Sequence, residues 1–396
     1  MRYKKNWEQT KEKWTNYWNH CNTGRPLMCV IARKPGVGDP ELEKLKEYGG
    51  TTGVLCQGNF YDLPEDLKCR DTNDQYMDAE RMVARYRHFC EQHEFMGESF
   101  PNLDIDFGPG SLAAYLGCEL GFSEHTVWTS PIWGDLEVDE LPSLKFDPEN
   151  KWFRKHLQLA RDCARLANGD FLVDMPDLME GMDALAQLRG STSLLMDFLE
   201  DPEAVNERLQ ELDDLYYEYY DRFHEAIKAE DGSNAYTVFQ IWGPGRTVKV
   251  QCDISAMTST DIVEEFAVPY LDKQTRKADC VLFHLDGKQC IRHLDAILSV
   301  EGIDALQWTS GDIGPDGTYP EWDVIYEKSL KAGKSIWIKV YSGEFEDWIR
   351  NTDRIVKKFG SHSLFLHFPE MSYEQGQQLL QYAEEHWSDV KGTFFD

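Results

Sequence analysis

The segment CVLFHLDGKQC, Cys280 to Cys290, places a histidine and an aspartate two residues apart at the end of an apolar run. A strand alternates sides with period two, so His284 and Asp286 would project to one place. An imidazole beside a carboxylate does one of two kinds of chemistry. The carboxylate orients the ring and tunes it for proton transfer, or both groups ligate a metal. The run SLFLHF (363–368) ends on a second histidine, His367. His284, Asp286 and His367 together have the composition of a zinc site with an open fourth position, or of a catalytic acid–base set. The plain alternative is a hydrogen-bonded structural pair. Cys252, Cys280 and Cys290 are candidate thiolate ligands, but Cys280 opens its strand and so belongs at the wrong end, and Cys290 reads as structural.

What must position these groups is an alternation of short apolar strands and longer amphipathic helices. The strand-like runs are LMCVIA (27–32), FLVDM (171–175), YTVFQIW (236–242), CVLFHL (280–285), IDALQW (303–308), SIWIKVY (335–341) and SLFLHF (363–368). Amphipathic periodicity predicts helices near 80–97, 152–168, 182–199, 202–229, 260–278, 288–299, 321–332, 345–359 and 373–388. Asp147-Pro148, Asp201-Pro202, Ser259 and Ser372 stand where helices would begin. Continuous rather than alternating apolar strands between helices argue for a parallel sheet covered by helices. The expectation is an α/β fold, a (β/α)8 TIM barrel, with an open doubly wound sheet as the alternative. No Gly-rich GxGxxG turn follows the first strand, which weighs against a dinucleotide-binding sheet. No repeat or linker divides the chain, so residues 1–396 are expected to form one domain. Residues 43–80 and 95–150, rich in Gly, Pro and Asp, read as elaborated N-terminal loops over one barrel end.

In such a barrel the C-terminal strand ends converge on the site. Polar and aromatic residues fall at those ends repeatedly: Asp174 and Asp177, Gln240 and Trp242, Trp308 and Asp312, Tyr341, then His367 and Glu370. Trp242, Trp308 and Tyr341 are expected as aromatic walls, able to hold a cation over a ring face. Gln240, Asp312 and Asp174 are expected to orient polar groups of a substrate. The loop Trp242 to Arg246 reads as a turn, and Arg25 is expected at the opposite end of the barrel.

Composition narrows the function classes. Seventy acidic and 41 basic residues give a net charge of −29. That surface repels phosphate backbones and argues against a nucleic-acid partner. No apolar run approaches the roughly 20 residues of a membrane span, and the charged N-terminus lacks a signal-peptide core, so a cytoplasmic protein without a membrane partner is expected. Ten scattered cysteines in a chain of 396 residues are expected as free thiols. There is no GxSxG, Walker loop or HExxH.

Several ordered segments are similar to the uroporphyrinogen decarboxylase superfamily, which includes cobalamin-dependent methyltransferases. They are TGRPLMCVIA near the start, FGPGSLAAYLGCEL (107–120), LRGSTSLLMDFLEDPEAVNERL (188–209), DISAMTSTDIVEEFAVPYL (253–271), VLFHLDG (281–287) and IDALQW (303–308). The resemblance runs from roughly Asn6 to His386 and implies a TIM barrel with its pocket at the strand C-termini. It also suggests a homodimer. Among residues the decarboxylases use, only Arg25 has a plausible counterpart. Asp104 or Asp106 lies near the place of the catalytic Asp, and MEGMDALAQL (179–188) lacks the expected Tyr. In the methyltransferase branch the resemblance implies zinc, held by an H-x-C and a later Cys. Here His284 is kept, Asp286 stands in the first Cys position, and His367 lies close to the second. Loss of both thiolates leaves a harder His/Asp/His zinc site, another metal, or no metal.

The expected function is therefore demethylation of a small O- or N-methyl compound, with transfer of the methyl group to a corrinoid protein that carries cobalamin. His284, Asp286 and His367 would be the catalytic and metal-binding residues. The alternatives are a metal-free decarboxylase or lyase using His284–Asp286 as acid–base pair, and a noncatalytic small-molecule-binding barrel.

Overall fold

The computed structural model describes residues 1–38, 63–124, 126–236, 238–311 and 314–395. Its spine is a largely parallel sheet. β1 (Leu27–Arg33) pairs along one edge with β13 (Leu364–His367) and then the short β14 (Met371–Ser372), and the ladder runs on from β13 through β12 (Ser335–Lys339), β11 (Ala305–Thr309) and β10 (Cys280–Asp286) to β9 (Thr247–Gln251). β2 (His93–Gly97) adds antiparallel to β1. The parallel α/β sheet anticipated from the apolar runs is thus present. Five of the runs, those starting at residues 27, 280, 303, 335 and 363, fall on its strands.

Among the described residues the ladder does not close into a ring. The remaining arc is made of short pieces. β3 (Asn102–Leu103) pairs parallel with β6 (Leu172–Val173), and Met175 N–H donates to Ala235 C=O at 3.0 Å in β7 (Asn234–Tyr236). The Asn234 amide then donates to Thr247 C=O at 3.1 Å, and its side-chain oxygen accepts Thr247 N–H at 2.9 Å.

The run YTVFQIW is not the barrel strand its composition suggests. It splits into β7 and β8 (Ile241–Gly243), an antiparallel hairpin pair, with Gln240 in the left-handed region at φ 49°. The strand of this part of the sheet is instead TVKVQ, β9. Its valines face the helices while Thr247, Lys249 and Gln251 alternate to the other side. Lys and Gln in that pattern hide a fully buried strand from an apolar count. A second hairpin, β4 (Glu119–Phe122) with β5 (Val127–Ser130), lies in the segment expected to be loop.

The helices follow the predicted periods closely where capping is strong. Asp201 accepts the N–H of Ala204 ahead of the helix Pro202–Ile227, and Ser372 forms a capping box with Gln375. Asn150 rather than Asp147 caps Lys151–Ala167. The helix Phe345–Phe359 buries Phe345, Trp348, Thr352, Ile355, Val356 and Phe359, a one-sided i, i+3, i+4 stripe. Gly190, at φ 87°, divides the predicted 182–199 helix into Gly181–Arg189 and Ser191–Glu200. The predicted 80–97 helix ends at Gln92, and its tail becomes β2.

Candidate functional site

Register brings the polar residues of the sheet into layers. His284 on β10 pairs with Gln251 on β9 and with Gln307 on β11, and Gln307 pairs with Trp337 on β12. One step further along the strands, Asp286 stands opposite Thr309, and Lys339 opposite His367. The first layer and the C-terminal strand ends enclose a cavity of about 310 Å³. Gln251, Asp253, His284, Gln307, Thr309, Trp337 and Lys339 line it from the sheet, with Asp177, Met179 and Phe239 closing it.

Asp253, His284 and Asp286 form the metal-type group, their ligand atoms all within 4.8 Å of one another. Each is fixed differently. His284 and Asp286 share a strand face, as their spacing predicts. Asp253 follows β9 and opens the turn Asp253–Met257. The carboxylate of Asp183 holds that turn by accepting the N–H groups of Asp253 and Ile254, each at 2.8 Å. Gln251 Nε2 donates to Asp183 (3.0 Å) and to Asp253 Oδ2 (2.8 Å). Gln251 Oε1 in turn accepts from Lys249 Nζ, which also pairs with Asp177 at 2.7 Å.

The imidazole of His284 is set by Gln307. The Gln307 amide nitrogen donates to Thr309 Oγ1 at 2.8 Å, so its Oε1 faces His284 Nδ1. The shared hydrogen is then the Nδ1–H, and Nε2 keeps its lone pair. Burial lowers the pKa of His284, reinforced by Lys249, while the Gln307 bond and Asp286 push the other way. Burial, with Asp183 nearby, pushes Asp253 up to about 8. Glu180, which accepts the Gln251 N–H at 2.6 Å, is also raised by burial to about 8.

Asp253 Oδ1 and Asp286 Oδ1 are buried and accept no hydrogen bond. An unsatisfied buried oxygen costs about 1–3 kcal/mol. Two such oxygens beside an imidazole with a free lone pair are a donor set that fits a divalent cation. Two carboxylates and one imidazole, with no thiolate, suit zinc or a harder divalent ion, and three protein ligands leave a position open.

His367 is placed apart from this group. It sits on β13, three strands from β10, and is not in the group whose ligand atoms lie within 4.8 Å of one another. The ring is buried at 1% exposure and stacks on Trp337 with centroids 5.4 Å apart. Burial, and then Lys339, lowers its pKa to about 3. The group of ligand atoms that the structure brings together therefore contains Asp253 and not His367.

The expected aromatic walls also change identity. Trp308 is buried on the opposite face of β11, against Trp322 at 5.0 Å. Trp242 packs on Trp7 at 5.5 Å, and its carbonyl accepts from Trp18 Nε1 at 2.8 Å. Tyr341, 40% exposed, lies 5.8 Å from the Lys339 ammonium but does not line the cavity. Asp174 is buried, and Asn102 Nδ2 donates to it at 3.2 Å. Gln240 is buried without reaching the cavity, and Asp312 lies outside the described residues. The walls are instead Trp337 and Phe239, tied together by Trp337 Nε1 donating to Phe239 C=O at 2.8 Å. Phe239 also packs on His284 at 5.2 Å. Alternation within SIWIK marks Trp337 and Lys339 as one face, and VKVQCD carries the same signal for Lys249, Gln251 and Asp253.

Arg25 precedes β1 and is spent on Glu98 (2.7 Å) and Glu384 (2.9 Å). Nine cysteines fall within the described residues and all are free thiols. No described helix is long and apolar enough to cross a membrane.

No protein-family model matches the chain, and no curated protein matches it. Among solved structures, a methyltransferase from Methanosarcina mazei superposes with a TM-score of 0.57 at 12% identity, over 95% of this chain and 98% of that one. At that identity the likeness concerns the fold.

Proposed function

We propose that this chain is a methyltransferase that takes the methyl group from a small O- or N-methyl compound and passes it to a corrinoid carried by a partner protein. The convergence of His284 with the donor-less oxygens of Asp253 and Asp286, beside a cavity that His284 and Asp253 line together with Trp337 and Phe239, is the observation behind this reading. The methyltransferase that shares the fold over nearly its full length supports it. On this reading the sheet and its short bridging strands form a barrel of the TIM type, with the site at the strand C-termini.

Asp253, His284 and Asp286 would hold the cation, zinc or a harder divalent ion. Once bound, it acts as a Lewis acid toward the oxygen or nitrogen that gives up the methyl group. The chain's own residues do the rest. Gln307 keeps the His284 lone pair directed away from β11. Gln251 and Asp183 fix Asp253 so that one oxygen remains for the cavity. Trp337 and Phe239 exclude water from one side and give an apolar seat for a methyl group or ring.

A second reading has its own observation. Asp253, raised to about 8, would hold a proton at neutral pH beside a His284 whose pKa is lowered. That is an acid next to a base, the equipment of a metal-free lyase or decarboxylase. Incubating the protein with cob(I)alamin and a panel of methoxy and N-methyl compounds, and following methylcobalamin formation by absorbance, separates the two. Methylcobalamin formation that requires added zinc or manganese supports methyl transfer. Donor breakdown without it, unaffected by chelator, supports the lyase.

A further inference from the structure

We infer that the substrate of this site is a small methylated acid, its carboxylate seated on Lys339 and its methylated oxygen or nitrogen directed to Asp253, His284 and Asp286. This rests on the methyl-transfer reading and adds the class of donor. Lys339 and Trp337 lie two apart on β12 and line the cavity together. By the β10–β11–β12 order, they stand two strands from His284, about 10 Å between backbones. The rings of Trp337 and Phe239 lie among the residues lining the same cavity.

Two further nitrogen-bearing groups lie close by and are buried. Lys249, 1% exposed, is held by Asp177 at 2.7 Å and by Gln251, in the floor beneath the cavity. His367 is buried and stays neutral. Among the described lining residues Lys339 is the only lysine or arginine. An ammonium has three N–H donors, so a contact to the chain leaves it able to bind a carboxylate as well. Two carboxylates, Asp253 and Asp286, balance the charge of a divalent ion held with His284, and Lys339 is the lysine of the described lining, so a substrate carboxylate is drawn to the Lys339 wall. The cavity, about 310 Å³ and partly open to solvent, suits a small molecule.

The test is binding, which does not depend on turnover. Methoxyacetate and 3-methoxybenzoate are titrated into the full chain by calorimetry or ligand-observed NMR, each beside its uncharged amide. The wild type should bind at least one acid about 10- to 100-fold more tightly than its amide. Lys339→Met should remove that difference while leaving amide binding within about threefold, and Lys339→Arg should keep most of it. Equal binding of acid and amide, an unchanged preference in Lys339→Met, or no binding of either acid at 10 mM on the order of a weak fragment limit would overturn the assignment. Failure of the two readings is distinguishable. Acid-selective binding without methylcobalamin formation keeps the Lys339 seat and removes methyl transfer. Methyl transfer from the amides as readily as from the acids keeps the activity and removes the seat.

Discussion

Replacing Gln307 by Met tests whether the sheet register builds a cation site. Met is close in length but supplies no acceptor for His284 Nδ1–H and no donor for Thr309 Oγ1, the two bonds Gln307 makes. Left without its partner in a buried setting, the Nδ1–H costs about 1–3 kcal/mol, or the ring rotates or shifts its proton to Nε2. Either way the lone pair is no longer presented. Partners that orient a ligating histidine typically contribute 10- to 100-fold in metal affinity, about 1.4–2.7 kcal/mol. Competition between the protein and a chromophoric chelator for zinc or manganese should therefore show a weakening of that size in Gln307→Met. Gln307→Glu, which keeps the acceptor, should stay within a few fold. Thermal melts of both variants guard against unfolding. The reasoning is refuted if Gln307→Met binds metal like the wild type while His284→Ala does not bind.

Three further expectations follow from the same geometry. His156 accepts from Tyr115 (2.7 Å), donates to Ile105 C=O (2.9 Å), and is pushed by burial to about 3 from 6.5. Its folded value is depressed, so stability falls as pH drops below about 6.5, by about 1.4 kcal/mol per unit, or about 2 kcal/mol between pH 6.5 and 5. Urea unfolding should show this fall, reduced in His156→Gln. Trp337→Ala should cost about 3–5 kcal/mol by removing a fully buried indole, read from the same unfolding curves. A Cβ at Gly97, where φ is 55°, would lie 2.6 Å from Met28 C=O, so Gly97→Ala should destabilise the β1–β2 pairing by about 1–3 kcal/mol.

Much of this arrangement was legible in the sequence, and the misses share a cause. CVLFHLD reads correctly because its apolar residues are continuous and its polar pair sits at the end. TVKVQ does not read as a buried strand because Lys249 and Gln251, though buried, are polar, and their partners Asp177, Asp183 and Glu180 come from elsewhere in the chain. With β9 unrecognised, Asp253 could not be placed beside His284. Residue type alone then points to His367 for the third ligand position. The strand order puts two strands, β11 and β12, between the two histidines, and His367 is not in the group of ligand atoms within 4.8 Å of one another. Trp308 and Trp242 misled for a related reason. An aromatic at a strand end faces the cavity or the helices according to parity, and parity depends on where the strand begins.

The most direct test of the account is metal stoichiometry by elemental analysis of the protein reconstituted with zinc or manganese. The account predicts about one ion per chain, lost in Asp253→Asn, His284→Ala and Asp286→Asn and kept in His367→Ala. No bound ion in the wild type, or an ion that survives Asp253→Asn and Asp286→Asn but is lost in His367→Ala, would contradict it.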